Sequence, residues 1–245
     1  MLFYLRNIRK KLLGENKASR YVLYAIGEIL LVVIGILIAV QIDDFQEDKK
    51  KKELKQSYQN SLIKNLVQDS TDLQQQLTYY QERLNELEAI EVRLKKPSTS
   101  LDTIIKIARY EYHPSFIQMN NMSTDIIDIL MSTGNINLFD QDIIQGFLVL
   151  KTAKSKSFEV IDNQMEAYAD LFNTYASKYS SGSTWSVIEG NLDKVTWQDV
   201  NKNEMAKAFR GIFTFQKALL RSFLREKQNV LDQTTELLTY LKQQQ

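Results

Sequence analysis

The sequence predicts an all-α protein, with one N-terminal transmembrane helix continuing into an elongated antiparallel helical bundle. Three observations predict it. Glycine (8) and proline (2) are scarce in 245 residues, and hairpin-rich β folds need many such turn formers. Residues Ile29–Ile42 (ILLVVIGILIAVQI) carry no charge. Beyond them, apolar residues recur at alternating spacings of three and four in two long stretches and at helical spacings in a third.

The first element, residues 1–20, is a basic tail. Leu2, Leu5, Ile8 and Leu12 share one helical face, and Gly14 follows the run. This pattern predicts an interfacial helix on the inner leaflet, with Arg6, Arg9, Lys10 and Lys11 contacting the membrane surface. An unstructured basic tail is the alternative.

Residues 21–42 are the predicted span. At ~1.5 Å per residue they reach about 33 Å, against a hydrocarbon core of about 30 Å. Arg20 and Asp43-Asp44 bracket them. The apolar run begins late and no A-x-A-like site follows it, so it reads as an uncleaved signal anchor. Six basic residues precede the span (Arg6, Arg9, Lys10, Lys11, Lys17, Arg20) and five follow closely (Lys49, Lys50, Lys51, Lys52, Lys55). The positive-inside bias acts most strongly on a short tail, whereas long domains translocate largely regardless of charge. The expectation is a cytoplasmic N-terminus and a domain on the outer side of the membrane.

The stretch Ile8–Phe45 reads IRKKLLGENKASRYVLYAIGEILLVVIGILIAVQIDDF. It resembles the N-terminal signature of an uncharacterised family of small single-span membrane proteins of Gram-negative bacteria. The pattern is IRxxLL at Ile8–Leu13, ENK at Glu15–Lys17, YAIGEI at Tyr24–Ile29, LVVIGILIA at Leu31–Ala39 and Gln41 at the membrane exit. The family's usual exit is nearer QINNWNE, from which Asp43, Asp44 and Phe45 depart. Asp128–Phe139 (DILMSTGNINLF) is similar to the family's helix and serine- and glycine-containing turn. The resemblance implies an inner-membrane anchor and a helical domain, and no activity.

Residues 43–245 form the predicted water-facing bundle. No glycine or proline lies between Gly35 and Pro97, so one helix can run from the span to Lys96, about 78 Å beyond Phe45. Its apolar positions include Leu54, Tyr58, Leu62, Leu66, Leu73, Leu77, Tyr80, Leu84, Leu87 and Leu94. A second long helix is expected over Asp142–Tyr179, with its seam at Phe158, Ile161, Met165, Tyr168, Phe172 and Tyr175. A third is expected over Asn203–Lys242, capped by Asn203 and buried along Phe209, Ile212, Leu219, Phe223, Val230, Leu237 and Leu241. Leu101–Tyr112 and Thr124–Thr133 read as shorter helices ended by His113-Pro114 and Gly134. Ser180–Asn201 reads as a serine-rich loop. If the broken segment traverses the domain, the bundle has four helices, the preferred reading; if it only caps one end, it has three.

Composition excludes much chemistry. Charge is balanced, 31 basic against 30 acidic residues, which offers nucleic acid no attracting field. Cysteine is absent and His113 is the one histidine, so thiolate zinc sites, two-histidine zinc sites and the paired Glu-x-x-His motifs of di-iron bundles cannot be assembled. Phosphate-loop, G-x-S-x-G and H-E-x-x-H motifs are missing. Asp125, Asp128, Asp140 and Asp142 flank Gly134 without a calcium-loop pattern, and Asp140 and Asp142 fit helix N-terminal charge. Glu82, Glu86, Glu88 and Glu91 read as a solvated face beside Arg83 and Arg93. Tyr110, Tyr112, Phe116, Trp185 and Trp197 lie near connections and suit either a bundle end or a ligand-lining patch. No catalytic residue, cofactor or metal is expected.

Glu28 stands apart. It lies about 10 Å inside the span, where a carboxylate is costly. Glu28, Gly35 and Ala39 share a helix face, and small residues there permit close helix approach. This transmembrane packing face would dock a second copy or another membrane protein. Alternatively, Glu28 reaches the inner headgroups or pairs with Arg20. The function expected is that of a membrane-anchored, non-enzymatic interaction or scaffold protein. The alternative is a ligand-binding, sensor-like bundle that signals through a membrane partner.

Overall fold

The computed structural model describes residues 18–114, 116–117, 125–179 and 191–244. The protein is all-α, with no strand among the described residues. The chain divides into two compact units, Met1–Ser57 and Tyr58–Gln245.

Helix α1 spans Ala18–Leu94, 77 residues. Its length follows from the absence of proline before Pro97 and of glycine after Gly35; Pro97 disfavours helical backbone in the residue preceding it. In the first unit its apolar residues are bare: Ile29, Leu31 and Ile36 are 64%, 73% and 59% exposed. The lysine run that follows is knit along the helix, with Lys51 2.7 Å from Glu47 and Lys49 4.0 Å from Glu53.

In the second unit α1 ends in a turn where Thr99 Oγ1 donates to the Arg93 carbonyl at 2.7 Å. Helix α2 (Leu101–Lys106) is capped by Ser100, whose Oγ accepts from the Thr103 N–H. It passes into a single π-turn, Ile107–Glu111, closed by the Tyr112 N–H on the Ile107 carbonyl at 2.8 Å. Helix α3 (Asp125–Ser132) stops at Gly134, whose φ of 73° is the left-handed conformation that glycine tolerates. A 3₁₀ turn, Asn135–Leu138, leads to α4 (Gln141–Ala176), with Asp140 at its N-cap position.

Two expectations change at the last connection. Residues Asn191–Gln198 form a helix, α5, inside the stretch expected to be loop; residues 180–190 lie outside the described residues. Helix α6 (Lys202–Gln243) is capped by Asn201, not Asn203. Asn201 keeps extended backbone, and its Oδ1 accepts from the N–H groups of Asn203 (3.0 Å) and Glu204 (3.2 Å). Asn203 is already within the first turn.

The core forms two clusters. One gathers Tyr80, Leu84 and Leu87 of α1, Ile107 to Ile117, Ile161 to Tyr175 of α4 and Met205 to Phe223 of α6. The other gathers Leu62, Leu66 and Leu73 of α1, Ile127, Leu130 and Phe139, Ile143 to Leu150 of α4 and Val230 to Leu241 of α6. The segment between α1 and α4 thus contributes to both clusters, in short pieces. Helices α1 and α4 run from the second cluster to the first, whereas α6 and the broken segment between α1 and α4 run from the first to the second. The end of α6 returns to the start of this unit, where Gln59 Nε2 donates to the Leu241 carbonyl at 2.7 Å. Helices α4 and α6 approach closely at Gly146, where an added Cβ would sit 2.9 Å from Leu237 Cδ1.

Candidate functional site

The apolar part of α1 is the one helix among the described residues long and apolar enough to cross a membrane, and the protein itself buries none of it. Glu28, Gly35 and Ala39 are all exposed. A Cβ placed on Gly35 would meet nothing within 4 Å. The face is therefore uncovered by the rest of the described protein. Arg6, Arg9, Lys10 and Lys11, the expected membrane-surface contacts, lie outside the described residues.

In the second unit, the residues singled out by sequence take structural positions. His113 is exposed, and its carbonyl accepts from Gln216 Nε2 at 3.5 Å. Asp128 pairs with Lys151 at 2.5 Å, and Asp142 accepts from the Tyr240 hydroxyl at 3.1 Å. Among the described residues no three His, Asp or Glu side chains converge as metal ligands. Tyr112 is fully buried, while Tyr110 faces solvent. Phe116 packs edge-on against Tyr168 and Phe172, with ring centroids 5.4 and 5.1 Å away. The Trp197 ring lies under the Arg109 guanidinium at 4.0 Å. Trp185 lies outside the described residues.

The glutamates of α1 do more than the expected solvated face. Glu88 pairs with Arg221 of α6 at 2.7 Å. Glu91 holds Lys217 of α6, an almost fully buried lysine, and Lys95 at 3.2 Å. Hydrogen bonds from Lys217 and then Lys95 keep the Glu91 carboxyl below its ordinary value. Arg93 clasps Glu111 of the π-turn and lowers that carboxyl in the same way.

Sequence reasoning missed the polar interior. Lys154 and Ser157 of α4 and Lys227 of α6 are buried. Lys154 Nζ meets Asp69 Oδ2 of α1 at 2.6 Å. Burial pushes the Lys227 ammonium below its ordinary value, and the nearby Lys154 charge adds to the effect. In the first cluster, burial raises the Tyr112 phenol, followed by the influence of Tyr168 and Tyr175. The one available signal was the heptad register, which carries Lys154, Ser157 and Lys227 through the seam positions.

No curated protein and no solved structure matches the chain. Residues 28–119, from Glu28 in the apolar segment to just beyond the π-turn, match the model of a family described as "Family of unknown function (DUF6090)".

Proposed function

We propose that this protein is a membrane-anchored, non-enzymatic interaction or scaffold protein. Its span would cross a bacterial inner membrane with the N-terminus cytoplasmic, presenting the bundle on the periplasmic side. The observation that carries this reading is the uncovered apolar surface from Val22 to Ile42. Exposing so many large aliphatic side chains to water opposes the hydrophobic effect, whereas lipid or a second helix accommodates them. Gly35 and Ala39 offer the close approach such a helix needs, and Glu28 a polar contact beside it.

Membrane fractionation and crosslinking test the proposal. The full chain should stay with membranes through alkaline carbonate, leave them only with detergent, and yield a crosslinked species that Gly35→Ile abolishes. Recovery in the soluble fraction without detergent overturns the anchor. A lone monomer indifferent to Gly35→Ile overturns the packing face. Because the chain lacks cysteine, Ser19→Cys and Ser98→Cys can be labelled separately in spheroplasts with an impermeant thiol reagent. Labelling at 98 alone fits the proposed orientation, and labelling at 19 alone reverses it.

A second reading, a sensor-like bundle that binds a ligand and signals through a membrane partner, draws on the buried polar groups between the helices. Ligand-dependent thermal stabilisation would favour it.

A further inference from the structure

The two apolar clusters of the bundle are separated by a polar layer. On α1, Gln76 falls between buried Leu73 and Tyr80; on α4, Lys154 and Ser157 fall between Leu150 and Ile161; on α6, Lys227 falls between Phe223 and Val230. Lys154, Ser157 and Lys227 are 7%, 1% and 5% exposed. Within this layer Lys154 pairs with the Asp69 carboxylate of α1. Among the described residues no carboxylate pairs with Lys227, whose Nζ lies 5.6 Å from the centre of the Phe223 ring and feels Lys154 as a neighbouring cation. Two further polar atoms, Ser157 Oγ and Gln76 Oε1, are buried without a hydrogen-bond partner among the described residues.

Buried polar groups in native proteins are almost always satisfied, and an uncompensated buried charge is costlier still. Loss of the Lys227 proton would remove the charge, but an ammonium whose ordinary value is about 10.4 gives it up at neutral pH only at a free-energy cost. A bound anion answers both requirements. It accepts from an ammonium group and from the Ser157 O–H in charge-assisted hydrogen bonds. Turning the Gln76 carboxamide over presents its N–H in place of Oε1, and that choice is set by the hydrogen-bond network. We propose that this layer is an internal binding site for a small oxyanion, of the phosphate or carboxylate class, held by Lys227 and Ser157 with Lys154 alongside. The proposal is independent of how the chain meets a membrane.

The test is thermal unfolding of the full chain in detergent micelles, followed by circular dichroism. Inorganic phosphate or, separately, acetate is titrated at an ionic strength held constant with sodium chloride. The wild type should show a saturable rise in Tm with at least one of them, and the stronger of the two names the class. Lys227→Met should fold and lose that dependence. Ser157→Ala should keep it with affinity weakened roughly tenfold, the loss of one hydrogen bond to a charged group. The proposal is overturned if neither anion gives a saturable shift, or if Lys227→Met responds as the wild type does. Should Lys227→Met fail to fold, Ser157→Ala decides, and an unaltered response in that variant overturns the site.

Discussion

A lysine in a helix core must have its charge answered, and two of the three buried lysines among the described residues are answered with carboxylates. Lys154 has Asp69 and Lys217 has Glu91. Taking away one partner leaves the other buried and charged. Asp69→Ala is therefore expected to destabilise the protein by about 3 kcal/mol, whereas Asp69→Leu with Lys154→Met should recover most of the loss; urea titration of both variants checks this. The Glu91 pair sets a pH dependence. Its folded carboxyl titrates below the unfolded one, so its stabilisation is complete above the ordinary carboxylate range, about 4.3, and is lost as pH falls through the folded value. Glu91→Gln should cost about 2 kcal/mol at neutral pH, the order of a hydrogen bond to a charged group, and should flatten the acid limb of a stability–pH curve. None of these pairs was legible in the sequence. Charged residues on a long amphipathic helix read as surface, and only the facing helix reveals that Glu91 and Lys217 meet.

The helices were more legible than their partners. Every position predicted for the buried face of α6, from Phe209 to Leu241, is buried. On α4 the prediction chose Phe158, which is 40% exposed, and overlooked Ile143, Phe147 and Leu150, which are fully buried. The reason is physical. The α4 seam runs Ile143, Phe147, Leu150, Lys154, Ser157, Ile161 in strict alternation of four and three, and a reading that follows only apolar residues leaves it at Lys154 and picks up the neighbour of Ser157. Leu54, named among the apolar positions of α1, is 40% exposed and belongs to the first unit. Gly146 offers a test of how α4 meets α6. A methyl group there would press on Leu237 Cδ1, the far end of a flexible side chain, while alanine gains about 1 kcal/mol in helix propensity. Gly146→Ala should accordingly change stability by less than about 1 kcal/mol. Gly146→Ile cannot be met by the same small shift and should cost about 1–3 kcal/mol through overpacking. Thermal melts of the two variants distinguish these outcomes.

For the whole molecule, the all-α class and the apolar N-terminal helix were plain from glycine and proline scarcity and the fourteen-residue uncharged run. The division of the core was not, because it depends on which turns of separate helices lie side by side. The division has an energetic signature. Phe147 and Phe209 lie in different clusters and are fully enclosed. Each alanine replacement should cost about 3–5 kcal/mol, and the pair should add to within about 0.5 kcal/mol, since the sites share no partner. Measured non-additivity well beyond that would mean that the polar layer transmits strain from one cluster to the other. The hydrogen bond from Gln59 to the Leu241 carbonyl brings the two ends of the bundle's chain to one place, and this has a mechanical consequence. A tug between those two residues would peel α6 from its neighbours turn by turn, as a zipper opens, with no need to shear the full length of the interface at once. The bundle should therefore yield to such a pull at low force.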